Sequence, residues 1–149
     1  MEVPRFIADH NVGKLAHWLR LLGYDTELFK GGDLKLMTRA LNEDRMILTR
    51  DTRIALRRLV KSGQLKVFTF VTDNSEAQIC RLINKLNLKI DHAPFTLCLE
   101  CNRRLEERQR EDIKDKLPPY VYKTQTRFME CPSCHRLYWQ GTHWQAMSK

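Results

Sequence analysis

Four aspartates stand at the ends of predicted strands or at the start of predicted helices, where their carboxylates could share one chemical task. Like charges held close together repel one another unless a cation neutralises them. Carboxylate oxygens are the ligands that Mg²⁺ and Mn²⁺ prefer. The sequence therefore predicts a site that binds Mg²⁺ or Mn²⁺, with a water and a phosphodiester, as in phosphoryl transfer. The four residues are Asp9, Asp33, Asp51 and Asp73.

Each of these acids also has a structural interpretation, because aspartate is a favoured helix cap. Asp73 fits a capping box with the glutamate three residues later, and Asp33 opens a helix after a Gly-Gly turn, so capping remains an alternative for both. Asp9 and Asp51 are the stronger candidates, since they end strands that we expect to be adjacent. Asp25 lies at the opposite end of its strand, and we expect it to pair with an arginine.

The elements that position these acids alternate between strand and helix patterns up to residue 93. Such alternation predicts βαβ units and a parallel sheet covered on both faces. Right-handed crossovers then place all strand carboxyl ends at one edge. Asn11 is placed to cap the first helix, and Gly23 to end it. The predicted strands are residues 6–8, 24–29, 46–49 and 67–71, the last of them buried, and the helical apolar faces lie in 12–22, 34–41, 54–60 and 77–86.

Two C-x-x-C pairs follow a predicted boundary at residues 87–94. They have the spacing of a four-cysteine zinc site. Four cysteine ligands leave no open position, so this Zn²⁺ is expected to be structural and to supply folding energy to a small module. Cys80 lies on a helical apolar face and is expected to be a core thiol. The paired residues are Cys98, Cys101, Cys131 and Cys134.

The chain has a net charge of +8, which favours an anionic partner such as nucleic acid. Lys14 and Arg20 are predicted on the exposed side of the first helix, and Arg50 and Arg53 flank Asp51. Such side chains could hold an RNA or DNA backbone without reading its sequence. A solvated helix face is the alternative for each of them.

No signal-peptide pattern precedes the first strand, and no apolar run approaches the roughly 20 residues that span a bilayer. We therefore expect an intracellular, cytoplasmic protein with no membrane segment. In a reducing compartment, metal binding is the better interpretation of the paired cysteines than disulfide bonding.

Between the cysteine pairs, the charged run Glu106–Lys116 is helix-like. A strand after the second pair carries Tyr138 and Trp139 near several arginines. These aromatic rings could stack on bases. The equally favoured alternative is that they cover the zinc module or dock it on the first domain.

Five different motifs follow one another along the chain. They are Asp9–Asp25 (with Gly-Lys-Leu-Ala, Trp-Leu-Arg and Leu-Leu-Gly-Tyr-Asp-Thr), Ile47–Asp51, Cys98–Asn102, Cys131–Cys134 and Tyr138–Trp144. Together they resemble the Mut7-C RNase domain family over essentially the whole chain. The resemblance implies an α/β, PIN-like three-layer nuclease domain with a central parallel sheet at residues 1–93. A small four-cysteine zinc ribbon would follow at residues 94–149.

The resemblance further implies an enzyme, a divalent-metal-dependent ribonuclease that cleaves RNA with clustered acids. Asp9, Asp33 and Asp51 match the acids of the family, and Asp73 matches the last acid of PIN-like sites more loosely. His10 departs from the pattern, because an acidic residue would be unsurprising there. The ribbon would bind substrate or a protein partner. The alternative is a non-catalytic RNA-binding adaptor on the same fold.

Overall fold

A computed structural model describes residues 3–139, except for the side chains of residues 55, 56 and 59. In this part of the chain, a four-stranded parallel sheet comes first and a three-stranded antiparallel sheet follows. The elements are β1 (Phe6–Asp9), α1 (Gly13–Leu21), β2 (Thr26–Phe29), α2 (Asp33–Glu43), β3 (Met46–Thr49), α3 (Arg58–Lys61), β4 (Val67–Thr69), α4 (Ser75–Leu86), β5 (Glu106–Arg108), α5 (Pro119–Thr124), β6 (Phe128–Glu130) and β7 (Leu137–Tyr138), with 3-10 helices at His10–Val12, Thr52–Leu56 and Arg110–Lys116.

The order of the parallel sheet is β2-β1-β3-β4, which confirms the predicted α/β class with a central parallel sheet. Asp9 is level with Phe29 on β2, and Thr49 on β3 is level with Thr69 on β4. All four strands therefore end at one edge, here called the carboxyl edge. Because parallel strands present their C-termini together, residues that follow each strand are brought near one another.

Helices cover both faces of the sheet. Phe6 and Ala8 of β1 pack with α1 and α4, whereas Ile7 packs with α2 on the other face. Successive strand side chains point to opposite faces, so β1 is buried on both sides and forms the centre of three layers. Among the helices that the structure describes, none is long and apolar enough to cross a membrane.

Two elements near β3 and β4 differ from the sequence prediction. The expected third helix is divided into a 3-10 helix and the short α3, because Arg57 between them has extended backbone angles. The expected buried strand 67–71 ends at Thr69 and is only half-buried. Among the described residues, edge strand β4 pairs only with β3, which ends at Thr49, so β4 has no strand partner there beyond that level. Val71 consequently lies in solvent, 88% exposed.

The ends of α1 show one confirmed and one wrong prediction. Gly23 ends the helix with φ of +93°, and a side chain there would collide with the carbonyl of Ala93. Asn11 does not cap α1, because the chain first makes a 3-10 turn that is capped by Asp9. The Asn11 amide oxygen instead accepts a hydrogen bond from the backbone N–H of Arg50, at 3.1 Å.

Two further predictions are corrected in the second half of the molecule and on α4. Cys80 is exposed and is not a core thiol, because the buried face of α4 is formed by Gln78, Ile79 and Leu82. The charged run expected to be a helix begins as strand β5, since it pairs with β6, and continues as a 3-10 helix.

The segment that carries the cysteines, residues 94–139 and here called the cysteine module, is docked on the sheet. Arg20 is buried, 3% exposed, and donates to the carbonyls of Thr26 (2.9 Å) and Leu99 (2.6 Å). Its predicted role as an exposed nucleic-acid contact is therefore wrong. Asn102 accepts a hydrogen bond from the backbone N–H of Thr26 at 3.0 Å, at the outer edge of β2.

Candidate functional site

Asp9 is a buried carboxylate, 6% exposed, at the end of β1. Its Oδ1 accepts from the backbone N–H of His10 at 2.8 Å and lies 2.9 Å from His10 Nδ1. Its Oδ2 accepts from the Asn11 amide at 3.3 Å and from the Thr49 hydroxyl at 3.0 Å. Both oxygens are thus held by neighbouring protein groups, which fixes the orientation of the carboxylate at the carboxyl edge.

Asp51 is connected to Asp9 through Thr49. The backbone N–H of Asp51 donates to the Thr49 hydroxyl oxygen at 3.0 Å, and that hydroxyl donates to Asp9. The Asp51 carboxylate faces Arg53, with Nε 3.0 Å from Oδ1 and Nη2 3.2 Å from Oδ2. The hydrogen bonds from the Arg53 side chain and backbone lower the pKa of Asp51. One hydroxyl therefore sets the positions of two of the predicted acids.

Asp33 and Asp73 follow the two edge strands. Asp33 is in the first turn of α2, where it makes no side-chain cap. The hydrogen bond to Asp51, and to a smaller extent the charge of Asp33, raises the pKa of Arg53, so this guanidinium is within the field of both acids. Asp73 is exposed and does not form the predicted capping box, because Asn74 caps α4. The four acids share an edge of the sheet and differ in burial.

The donor chemistry at this edge fits a hard divalent cation, since the acids offer only carboxylate oxygens. In the structure, however, the four carboxylates do not surround a common centre. Within the described part of the chain, the cysteines are the one group of three or more metal-ligating side chains whose ligand atoms all lie within 4.8 Å of one another. Asp51 would have to release Arg53 before its two oxygens could face an ion.

The four predicted cysteine ligands lie together. Their sulfur atoms are all within 4.8 Å of one another, and Cys98 Sγ is 3.7 Å from Cys134 Sγ. Tetrahedral zinc with bonds of about 2.3 Å requires sulfurs about 3.8 Å apart. The cluster could therefore hold a zinc ion, with no position left open for substrate.

The two cysteine pairs are held in matching turns. The backbone N–H of Asn102 donates to the Cys98 carbonyl, and that of His135 donates to the Cys131 carbonyl, each at 2.9 Å. Asn102 and His135 both have positive φ, of 60° and 64°. The repeated turn directs both thiols of a pair toward one centre.

Aromatic side chains cover this cluster. The Tyr138 hydroxyl lies 3.1 Å from Cys98 Sγ and accepts from the backbone N–H of Leu99 at 3.2 Å. Trp139 packs against Phe128 with its ring centroid 6.4 Å away. Burial raises the pKa of Tyr138. Both rings are half-buried, so the packing alternative accounts for them better than base stacking does.

The basic residues predicted to hold nucleic acid fall into two groups. Arg20 is buried, whereas Lys14, Arg50 and Arg53 are exposed. Lys14 is in the first turn of α1, which follows β1 and the 3-10 turn. The Arg50 guanidinium donates to the carbonyl of Val71 at 3.3 Å and so links the loops after β3 and β4. Three positive side chains therefore lie beside the acids at the carboxyl edge.

Three polar residues of this site are not predicted by the sequence pattern. In the sequence, Thr49 ends a predicted strand, Asn11 is predicted to cap a helix, and His10 stands where an acidic residue would be unsurprising. Each forms a hydrogen bond with Asp9. A hydroxyl residue two positions before an acid at a strand end is the signal that could have identified Thr49.

The fold and the cysteine cluster define a mixed α/β protein with a central parallel sheet and a zinc-type four-cysteine module. The family model described as Mut7-C RNAse domain matches residues 4–149. The chain therefore belongs to the Mut7-C RNAse domain family, whose name suggests a nuclease-like role and RNA as the substrate. Comparisons with curated proteins and with solved structures gave no significant match.

Proposed function

We propose that this protein is a divalent-metal-dependent ribonuclease that cleaves RNA phosphodiester bonds at the carboxyl edge of its parallel sheet. The observation that supports this most strongly is the buried Asp9 carboxylate, oriented by four hydrogen-bonding groups in a chain of an RNAse family. A buried carboxylate at a strand end costs desolvation energy, and a catalytic role accounts for that cost.

Each residue has an assigned task in this proposal. Asp9, Asp33 and Asp51 would hold Mg²⁺ or Mn²⁺, and Asp73 would assist directly or through a water. When bound, the ion lowers the pKa of a coordinated water and stabilises charge on the phosphate. Thr49 keeps Asp9 and the backbone of Asp51 in fixed relative positions. The following basic residues would hold the RNA backbone without reading bases: Lys14, Arg50 and Arg53.

The cysteine module has a structural task in the same proposal. Zinc held by its four cysteines would stabilise the module, which would bind substrate or a protein partner. Its cationic side chains, among them the exposed Arg103, Arg104 and Arg127, favour RNA as that ligand.

A non-catalytic RNA-binding adaptor is the second candidate. Two observations favour it: the Asp51 carboxylate is paired with Arg53, and the ligand atoms of the acids do not gather around a common centre. An adaptor would bind RNA in a salt-sensitive manner, through phosphate contacts, and would not turn it over.

The two candidates are separated by incubating the zinc-loaded full chain with labelled single-stranded and structured RNA. We expect cleavage with Mn²⁺ or Mg²⁺, loss of cleavage after brief EDTA treatment, and recovery when Mn²⁺ is returned. Zinc content is measured before and after EDTA, so that loss of the module is not mistaken for loss of the catalytic ion. RNA that is bound but stays intact under every metal would overturn the ribonuclease and support the adaptor.

A further inference from the structure

Arg53 occupies the position that an ion at Asp51 would need. Its guanidinium faces both carboxylate oxygens of Asp51, at 3.0 and 3.2 Å, and its backbone N–H donates to Oδ1 at 3.0 Å. A two-pronged contact of this kind uses the lone pairs in the plane of the carboxylate. Those are the lone pairs with which a divalent ion would be bound.

The ion pair between Arg53 and Asp51 can open easily. The Arg53 side chain is 84% exposed, whereas that of Asp51 is 19% exposed, so the arginine can turn into solvent without breaking any packing. Exposed ion pairs contribute little to stability. An ion of charge +2 that coordinates two or three carboxylates competes favourably with one solvated guanidinium.

The second acid near Arg53 strengthens this interpretation. The charge of Asp33, at the start of α2, also acts on the Arg53 guanidinium. Arg53 thus pairs with Asp51 and lies within the field of an acid from a second element. A guanidinium released from them is beside the carboxyl edge, where an RNA phosphate would be the next available anion.

We propose that Arg53 couples metal binding to RNA binding: it neutralises Asp51 until a divalent ion displaces it, and it then contacts an RNA phosphate. This inference rests on the proposed metal site. Because coupling between two ligands is reciprocal, Mn²⁺ should tighten RNA binding and RNA should tighten Mn²⁺ binding.

Mn²⁺ affinity is measured by electron paramagnetic resonance on the zinc-loaded full chain and on three variants. Arg53→Gln should bind Mn²⁺ about fivefold more tightly, the scale of one exposed ion pair. Arg57→Gln is the matched control. The positive charge of Arg57 also lowers the pKa of Asp51, and the substitution removes that charge without breaking a hydrogen bond to the carboxylate. We expect it to change the affinity less than twofold. Asp51→Asn should no longer bind Mn²⁺, and this loss would place the ion at the carboxyl edge.

RNA binding is measured in parallel with a phosphorothioate oligoribonucleotide that resists cleavage. Mn²⁺ should tighten its binding to the unmodified protein and to Arg57→Gln by the same factor. The factor should be several-fold smaller for Arg53→Gln, where only the contact between the ion and the phosphate remains. An unchanged Mn²⁺ affinity in Arg53→Gln, or tightening of RNA binding there that equals the tightening in the unmodified protein, would overturn the coupling and leave the proposed ribonuclease in place. Mn²⁺ binding that is absent, or that Asp51→Asn does not weaken, would overturn both.

Discussion

Thr49 is the single residue on which the geometry of the acids depends most. Its hydroxyl donates to Asp9 and accepts from the backbone of Asp51, and it is fully buried. We predict that Thr49→Val, which preserves the shape, lowers the free energy of unfolding by about 1–2 kcal/mol, because buried polar groups lose their partner. RNA cleavage should fall about tenfold.

Denaturant unfolding and initial cleavage rates measure both effects. Thr49→Ser keeps the hydroxyl and is the control, so its rate should stay near that of the unmodified protein. Equal rates for the valine and serine variants would show that Thr49 does not position the acids.

The sequence suggests that Arg20 binds nucleic acid, whereas its buried position predicts a role in stability. We predict that Arg20→Met costs about 3 kcal/mol of stability, because the carbonyls of Thr26 and Leu99 lose a charged donor. Lys14→Met, an exposed change on the same helix, should leave stability within about 0.5 kcal/mol and weaken RNA binding. Unfolding curves and filter binding test the pair. A stable Arg20→Met protein with weak RNA binding would contradict the structure.

The sequence could not assign these two residues for a physical reason. Arg20 follows Leu19 on the buried side of α1, and its partners are carbonyls that only the tertiary structure brings near. Thr49 is a typical strand residue, and nothing local distinguishes a hydroxyl that bridges two strand ends from one that packs. The acids could be proposed as candidates because aspartate at a strand end or at a helix start is a local pattern.

At the scale of elements, the amino ends of the strands are tied together by Arg45. Its side chain is 4% exposed. It donates to the Phe6 carbonyl and to Asp25 at 2.9 Å, and to Glu43 at 2.7 Å. The predicted pairing of Asp25 with an arginine is thus confirmed. One cation connects β1, the start of β2 and the end of α2.

The hydrogen bonds of Arg45 predict how stability falls at low pH, here called the acid limb of the stability curve. Burial opposes ionisation of Asp25, but hydrogen bonds from Arg45 and Asn102 outweigh it, so the pKa of Asp25 is lowered. Hydrogen bonds from Arg45 and Arg39 lower the pKa of Glu43. Because both folded pKa values lie below the unfolded values of about 4, their contribution is present above pH 4–5 and is lost as the pH falls through the folded values.

Urea unfolding between pH 7 and pH 2.5 measures this dependence. Asp25→Asn should be less stable at pH 7 and should show a shallower loss of stability below pH 4. A variant with the same acid limb as the unmodified protein would show that Asp25 is not a source of it.

The elements divide into those that local pattern could predict and those that it could not. β1, β3, α2 and α4 were anticipated because their apolar spacing is regular and their ends carry breakers. The end of β4 depends on where β3 ends, and β5 depends on pairing with β6. Such non-local partners are invisible in a charged sequence such as Glu106–Lys116.

At the scale of the whole molecule, the first cysteine pair lies against the outer edge of the parallel sheet. The Asn102 side chain accepts a hydrogen bond from the backbone N–H of Thr26 and donates one to Asp25 at 2.6 Å. The carbonyl of Leu99 accepts a hydrogen bond from Arg20. Backbone groups at a sheet edge need partners, and the turn at Cys98–Asn102 supplies one. The sequence predicted the cysteine cluster from its spacing but not this docking, which no local pattern encodes.

This docking predicts that metal removal weakens the sheet as well as the cysteine module. We expect one zinc per chain by elemental analysis. Stripping it should lower the melting temperature and increase amide exchange at Thr26, and reloading should reverse both. Exchange in β3, which lies between β1 and β4 in the sheet, is the internal control. Unchanged protection at Thr26 after zinc removal would contradict the docking.

Two equivalent substitutions at opposite ends of the parallel sheet test the claim that RNA is cleaved at its carboxyl edge. Asp9→Asn and Asp25→Asn make the same chemical change, and each removes a hydrogen-bonded aspartate. Initial rates of RNA cleavage with Mn²⁺ are compared at pH 7, with folding checked by unfolding curves. We predict that Asp9→Asn loses about 100-fold or more in rate while Asp25→Asn keeps it. Equal cleavage by Asp9→Asn and the unmodified protein would contradict the claim.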